Sequence, residues 1–410
     1  MKRRDFIGYS SGAAALLATG KTAAAALPQA EIVLGDEVFL RETWRELEGR
    51  RVGIVTNQTG VTSQLESIAD AVKRNPQIQL KALFAPEHGL RGDRPAGSYV
   101  PSYVDDMTGL PVYSLYGPTR RPSEAMLSEI DVLLFDIQDI GARDYTFSST
   151  MAYVMEAAAQ HGKEFWVLDR PNPIGGAIVE GPVLEPQYKS FIGLYPIALR
   201  HGMTIGELAR MFNDAFGIRA KLRVIPMRGW QRSMVWPDTG LVWVLTSPNI
   251  PTWTTTFFYL CTGPAGTAGI NNGTGTAKPF AYAGAYEMNA YRYADVLNAS
   301  RLPGIYFRPA AWSPFFGFWA DKELTGVELV VYDPHTFLPV RTGVELLVAA
   351  RKVAPSIVSV RNRREIDIVW GTDSLRTGLI EGKTGDQIAS EWIPGIVRFK
   401  SLRSKYLLYS

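Results

Sequence analysis

Short apolar runs alternate with segments of helical periodicity over about residues 40 to 200 of the chain. Strands are predicted at 51–55, 80–84, 132–135 and 165–168, and helices near 65–74, 124–130 and 151–160. The predicted strands are apolar throughout, which is typical of parallel strands that are covered on both faces. The pattern therefore predicts an α/β fold with a mostly parallel sheet packed between helices.

The chain of 410 residues is longer than the roughly 250 to 300 residues that one hydrophobic core usually serves, so two domains are expected. After about residue 250 the sequence becomes aromatic and rich in Gly and Pro, with short strand-like runs such as 327–332 and a helix near 344–353. We place the boundary at residue 255, which gives a first domain over 27–255 and a second over 256–410.

The N-terminus has the layout of a twin-arginine export signal. Arg3 and Arg4 precede a short apolar run at 12–18, and an Ala-rich stretch follows at 23–26. The alternative is an amphipathic first helix. The apolar run is far shorter than the ~18 residues that span a bilayer, so no stable membrane insertion is expected. We therefore assign 1–26 to a signal peptide and expect a periplasmic or extracellular location.

Charge and cysteine content exclude several classes of protein. The net charge of +3 is small for the length, and the basic residues are scattered, which argues against nucleic acid as a partner. Cys261 is the single cysteine, so no intramolecular disulfide and no cysteine-based metal cage can form. It lies in the apolar run 257–261 and is predicted to be a buried, inert thiol. Nothing in the sequence indicates the oligomeric state.

Polar residues follow each of the four predicted strands. They lie in the segments 56–60, 86–89, 136–139 and 169–173. Because ligands of open parallel sheets bind beyond the carboxyl ends of the strands, these segments predict one cleft with carboxylates, a histidine, an arginine and amides.

Several chemistries lack their motifs. The first strand is not followed by Gly-x-Gly-x-x-Gly, and the Gly-rich stretch 266–275 lacks the Lys-Ser/Thr pair of a phosphate loop, so no dinucleotide or nucleotide cofactor is expected. No Gly-x-Ser-x-Gly elbow is present. The four histidines show no metal-binding spacing, so we assign no metal. A metal-assisted hydrolase that uses His88, Asp136 and Asp139 remains an alternative.

Glycosidic cleavage needs a proton donor at the leaving oxygen and usually a second carboxyl group. Glu87 has the best position for the donor, and its alternative role is a salt bridge to Arg91 or Arg143. Four aromatic residues are candidates for stacking on sugar faces, with a place in the core as the alternative: Tyr113, Tyr116, Tyr145 and Trp243. The second carboxyl group stays open among Asp93, Asp136, Asp139, Asp169 and Glu180.

A series of sequence motifs, which together span nearly the whole chain after residue 45, resembles the motifs of a known family. The chain resembles the NamZ family of exo-β-N-acetylmuramidases, once a domain of unknown function. The motifs are Val52–Gly60, Phe84–Gly89, Phe135–Arg143, Leu168–Gly176, Val179–Pro182, His201–Thr204, Met227–Trp230, Ser247–Pro251, Gly371–Leu375 and Tyr406–Tyr409.

The resemblance implies a Rossmann-like N-terminal domain that carries the catalytic cleft and a smaller α+β C-terminal domain. It also implies cofactor-free release of non-reducing terminal N-acetylmuramic acid from peptidoglycan fragments, with Glu87 as the acid/base. We expect Glu87, His88 and Glu180 to be catalytic. The predicted substrate-binding residues are Asn57, Gln58, Asp93, Asp136, Gln138, Asp139, Arg143, Asp169, Arg170, Asn172 and Asn272.

The segment 265–276 departs from the family pattern. Family members typically carry two acids and an arginine there, whereas this chain has small and amide residues. If the missing arginine holds the lactyl carboxylate of muramic acid, another arginine must replace it, and Arg143, Arg170 and Arg228 are the candidates. The altered segment also favours the alternative of a non-catalytic periplasmic muropeptide-binding protein.

Overall fold

The predicted α/β pattern forms a seven-stranded sheet in the computed structural model, which describes residues 32–95, 97–99, 101–358, 360 and 364–410. The predicted export signal at 1–26 lies outside the described residues. The strands are β1 Arg51–Thr56, β2 Gln79–Ala85, β3 Tyr103–Val104, β4 Pro111–Ser114, β5 Val132–Asp136, β6 Glu164–Leu168, β7 Glu180–Val183, β8 Ala198–Arg200, β9 Lys221–Ile225, β10 Tyr282–Ala285, β11 Ile305–Trp312 and β12 Leu324–Val331.

The large sheet has the strand order β3-β4-β2-β1-β5-β6-β9. Every neighbouring pair is parallel except β3 with β4. Without the short edge strand β3, the order along the chain is the 3-2-1-4-5-6 order of dinucleotide-binding sheets. The prediction of a Rossmann-like domain is therefore confirmed.

Helices cover both faces of this sheet and build most of the second lobe. They are α1 Gly35–Val38, α2 Ile68–Lys73, α3 Glu124–Leu127, α4 Phe147–Gln160, α5 Ile205–Asp214, α6 Trp253–Gly266, α7 Ala290–Ala299, α8 Pro339–Val353, α9 Arg364–Trp370, α10 Ser374–Glu381, α11 Gly385–Glu391 and α12 Ile393–Arg403. The helix α1 continues into a π-helical turn and a 3₁₀ turn that ends at Leu47. The start of α5 is a capping box in which Thr204 and Glu207 exchange hydrogen bonds.

The alternation of side chains along the strands divides the apolar core in two. Phe84, Phe135 and Phe165 face one layer, which contains α4 and α5. Ile54 and Leu134 face the opposite layer, which contains the N-terminal helical segment and α2. Burial on both faces explains why the strands read as continuous apolar runs.

The second lobe is a smaller α+β unit, as predicted. The antiparallel sheet β10-β12-β11 packs against α7, and α6 lies along α8. The apolar core of α4 and α5 continues without a break into α6 and α8, so the two lobes share one core. Cys261 is buried in α6, where burial raises the pKa of its thiol. None of the helices in the described part of the chain is long and apolar enough to cross a bilayer.

Candidate active site

A cleft of about 430 Å³ lies beyond the C-terminal end of β2, where the two lobes meet. Its volume is within the range of small-molecule sites, roughly 300 to 1,000 Å³. The first lobe supplies polar and aromatic groups, and the second lobe supplies one wall. The lining residues are Glu87, His88, Tyr116, Arg120, Asp144, Tyr145, Thr146, Ser190, Phe191, Ile192, Ser247, Asn249, Ile250, Tyr259, Phe280 and Ile368.

Glu87 is held in this cleft by two donors. The Thr146 hydroxyl donates to Glu87 Oε2 at 2.7 Å, and the backbone N–H of Gly97 donates to Oε1 at 2.9 Å. The side chain is 9% exposed, so its carboxyl group is largely shielded from water but opens into the cleft. The alternative of a salt bridge to Arg91 or Arg143 is not what the structure shows, because Arg91 pairs with Asp105 and Arg143 bonds to backbone carbonyls.

Tyr116 lies beside Glu87 on the cleft wall. Burial, and then the negative charge of Glu87, raises the pKa of the Tyr116 hydroxyl to about 12. The phenol therefore stays protonated at neutral pH and can donate a hydrogen bond to a sugar hydroxyl or to Glu87.

His88 positions the loop that follows β2. It has a left-handed backbone with φ of +73°, and its Nδ1 lies 2.9 Å from the Arg94 carbonyl oxygen. Because a carbonyl can only accept, Nδ1 of His88 is the donor in this contact. This contact holds the loop that brings the Gly97 N–H to Glu87.

Asp144 is a second carboxyl group in the cleft, and the sequence analysis missed it. Its side chain is 5% exposed, and its Oδ1 has no hydrogen-bond partner within the described residues. Burial raises the pKa of Asp144 to about 6, against the opposing effect of Arg143. A buried carboxyl group with an unused oxygen, in a residue that lines a cleft, is a candidate for substrate or proton chemistry.

The crevice beside β1, where a dinucleotide would bind in such a sheet, is filled. Trp236, Leu241 and Val244 cover it and leave a cavity of about 20 Å³. A Cβ atom at Gly60 would lie 2.8 Å from the Asp136 carbonyl oxygen, so the chain itself is tightly packed there. The open cleft therefore lies at the end of β2 rather than at the switch point of the strand order beside β1.

The predicted amide ligands Asn57, Gln138 and Asn172 bond to backbone groups of the loops around this filled crevice. Asn57 Oδ1 accepts from the Thr59 N–H at 2.9 Å. Gln138 Nε2 donates to the Asp139 and Pro171 carbonyls, both at 2.7 Å, and Asn172 Nδ2 donates to the Met203 carbonyl at 3.0 Å. Each side chain is at most 4% exposed, and none lines the cleft.

Asp136 and Arg170 form a buried ion cluster with Asp36. Arg170 donates to Asp136 Oδ2 at 2.9 Å and to Asp36 Oδ2 at 2.8 Å, and none of the three side chains is more than 4% exposed. Burial raises the pKa of both carboxyl groups, while Arg170 opposes this shift. Asp136 and Arg170 are therefore too deeply buried to make the substrate contacts that the sequence predicted.

Asp169, Arg143 and Glu180 also lie within the packed interior. Asp169 accepts from the Gly206 N–H at 2.8 Å at the start of α5 and from the Tyr409 hydroxyl at 2.6 Å, and burial raises its pKa to about 6. Arg143 donates to three backbone carbonyls, and Glu180 pairs with Arg200 at 2.9 Å. The structure thus places the predicted catalytic Glu180 away from Glu87, in an ion pair.

Four further predicted residues are also absent from the lining of the cleft. Gln58 Nε2 donates to the Leu245 carbonyl at 2.9 Å, and Asp139 accepts from the Gly141 N–H at 2.8 Å. Asp93 has a side chain that is 62% exposed. Asn272 lines a separate recess of about 340 Å³ at the altered Gly-rich segment. Of the predicted set, the structure brings Glu87 and His88 into the cleft.

The three residues of the metal-assisted alternative belong to separate networks. His88 bonds to the Arg94 carbonyl, Asp136 pairs with Arg170, and Asp139 caps the Gly141 turn. No group of three or more His, Cys, Asp or Glu side chains suited to a metal occurs in the part of the chain that the structure describes.

Fold and site define a two-lobed α/β protein with a cleft lined by two acidic residues, Glu87 and Asp144. The first lobe matches the N-terminal profile of the exo-beta-N-acetylmuramidase NamZ family over residues 52–254, and the second matches the C-terminal profile over 257–409. The chain belongs to the exo-β-N-acetylmuramidase NamZ family, so the resemblance seen in its motifs and its assignment to the glycoside hydrolases are confirmed.

Individual relatives agree with this assignment. The chain is 43% identical over 396 residues to the peptidoglycan beta-N-acetylmuramidase NamZ of Bacillus subtilis, which covers 95% of this chain and 96% of the relative. Crystal structures of two DUF1343 family proteins from Bacteroides fragilis superpose with TM-scores of 0.87 and 0.74, at 38% and 28% identity. Each covers 93% of this chain, over 100% and 99% of the respective structure.

Proposed function

We propose that this protein removes N-acetylmuramic acid from the non-reducing end of peptidoglycan fragments and that Glu87 is its general acid/base. The observation that carries the proposal is a carboxyl group held by Thr146 and Gly97 in a cleft of about 430 Å³, in a member of this family. The Bacillus relative is named for the same activity.

Glu87 has the surroundings that an acid/base needs. Its two hydrogen-bond partners fix the position of the carboxyl group, and the partly buried cleft keeps water away from a transferred proton. Asp144 supplies the second carboxyl group, which either supports the developing positive charge of the sugar or activates water. The side chains of Tyr116 and Tyr259 on the cleft wall offer aromatic surface for a sugar ring.

Glu87→Gln tests this role with two substrates that differ in the leaving group. The natural disaccharide has a poor leaving group and needs protonation, whereas a nitrophenyl muraminide needs little. We expect kcat on the disaccharide to fall by about 10² to 10⁴ and kcat on the nitrophenyl substrate to fall less. Equal losses on both substrates would contradict general acid catalysis. Asp93→Asn is the control, since this carboxyl group is exposed.

The same assay separates the enzyme from the muropeptide-binding alternative. A wild-type chain that binds muramic acid fragments tightly but releases no sugar would establish the binder. Sugar release that disappears with Glu87→Gln would establish the enzyme.

The proposed location is the periplasm or the extracellular space, and it rests on the sequence of residues 1–26. Replacing Arg3 and Arg4 together by lysine should retain the full-length precursor inside the cell. Normal export of that variant, measured by fractionation, would contradict the twin-arginine route.

A further inference from the structure

The proposed substrate brings a carboxylate into a cleft that already holds two carboxyl groups. N-acetylmuramic acid carries a lactyl carboxylate, and a partly buried anion needs a cationic hydrogen-bond donor nearby. The segment 265–276 of this chain contains no arginine. Under the proposed function, on which this inference rests, another residue of the chain must bind the lactyl carboxylate.

The three arginines that the sequence suggested as replacements are already engaged. Arg143 donates to the carbonyls of Pro182, Ile197 and Val369 and is 1% exposed. Arg170 belongs to the buried cluster with two aspartates. Arg228 pairs with Glu42 at 2.6 Å and does not line the cleft. None of them can reach a substrate without leaving its partners.

Arg120 is different. Among the described residues that line the cleft, it carries the one permanent positive charge, and it forms no ion pair within the described chain. Its guanidinium lies 4.0 Å from the ring centroid of Phe191 and 5.9 Å from that of Tyr116. Phe191 is itself stacked on Tyr153 at 5.8 Å. Stacking fixes the plane of the guanidinium and leaves its N–H groups available.

Arg120 and Glu87 both lie against Tyr116 on the cleft wall. Tyr116 has Glu87 beside its hydroxyl, and Arg120 lies over its ring. A sugar that lies along Tyr116 can therefore contact both the acid and the guanidinium. Asp144 repels an anion from its own part of the cleft, so a substrate carboxylate is directed away from Asp144.

We propose that Arg120 binds the lactyl carboxylate of the terminal sugar and so sets the preference for N-acetylmuramic acid over N-acetylglucosamine. In this role Arg120 is a specificity residue that contacts a part of the substrate remote from the bond that breaks. Its contact contributes to binding rather than to the chemical step, so its loss should raise KM more than it lowers kcat.

The test measures kcat/KM of Arg120→Met on a β-N-acetylmuraminide and a β-N-acetylglucosaminide with the same leaving group. The muraminide value should fall about 10- to 100-fold, the usual effect of one charged hydrogen bond, and the glucosaminide value should stay within about twofold. Equal losses on both substrates, or no loss on either, would overturn the proposal. Arg121→Met is the matched control, because Arg121 pairs with Glu156 and does not line the cleft.

A second pair of measurements separates this proposal from the proposed function. With the lactyl carboxylate converted to its amide, wild type and Arg120→Met should bind equally, because the two changes remove the same interaction. Affinity for free N-acetylmuramic acid, measured by calorimetry, should fall in Arg120→Met even if the wild type hydrolyses nothing. Unchanged affinity there refutes the role of Arg120, whereas absent hydrolysis with lowered affinity refutes the proposed function alone.

Discussion

Replacing Arg170 by methionine should destabilise the protein rather than weaken substrate binding. The guanidinium is the cation that faces both Asp36 and Asp136, and all three side chains are buried. Removing one partner of a buried ion pair costs about 3 to 5 kcal/mol of the free energy of unfolding. Methionine fills a similar volume, so the loss reports the two uncompensated carboxyl groups rather than a cavity.

The loss should depend on pH in a defined direction. Burial already raises the pKa of Asp36 and Asp136, and without Arg170 both values rise further. A carboxyl group whose folded-state pKa is raised holds its proton more tightly in the folded protein, so its contribution to stability falls as pH rises through that pKa. Arg170→Met should therefore be most destabilised at pH 8. Lowering the pH to 5 should restore the free energy of unfolding by up to about 1.4 kcal/mol for each pH unit below the folded-state pKa of a carboxyl group.

Urea denaturation followed by tryptophan fluorescence at pH 5 and pH 8 measures this dependence. The double variant Arg170→Met/Asp136→Asn is the control, because it removes one of the two carboxylates and should regain part of the loss at pH 8. A fully stable Arg170→Met with a raised KM would refute this reasoning and restore the substrate contact that the sequence predicted.

Three further outcomes follow from the same contacts. Asp144→Asn should be more stable than wild type at pH 8 by up to about 3 kcal/mol and equally stable at pH 4. The reason is that the raised pKa of Asp144, about 6, makes the wild-type folded state lose stability as the pH rises from 4 to 8. Denaturation curves at both pH values measure the difference. Tyr409→Phe should cost about 1 to 3 kcal/mol by removing the hydroxyl that bonds to Asp169 and to the Met227 N–H, with kcat unchanged at the distant cleft. Sugar release should persist in excess chelator, because His88 and Asp136 are held in separate networks; a loss restored by added divalent metal would contradict this.

The sequence predicted the central strands well because they are buried on both faces, and burial produces continuous apolar runs. It did not predict β4 and β9. The strand β4 is short and begins at Pro111, and β9 alternates charged and apolar residues at the sheet edge. These strands depend on pairing with β2 and β6 rather than on their own composition.

The site was predicted only in part. Glu87 and His88 follow β2 and lie in the cleft, as the position of polar residues after strands indicated. Most of the other polar residues turned inward, because the loops after β1, β5 and β6 need donors and acceptors for their own backbone. Asp144 and Arg120 lie several residues beyond the ends of β5 and β4, so the rule that polar residues directly after a strand form the site did not identify them.

The core shared by the two lobes has a consequence for cooperativity. Apolar side chains of α4 and α5 and those of α6 and α8 form one continuous cluster, so separating the lobes would expose a large apolar surface on both. The lobes should therefore unfold together, and the cleft between them is preformed rather than created by hinge closure. A core substitution in either of the two family segments should therefore lower the stability of the other segment as well.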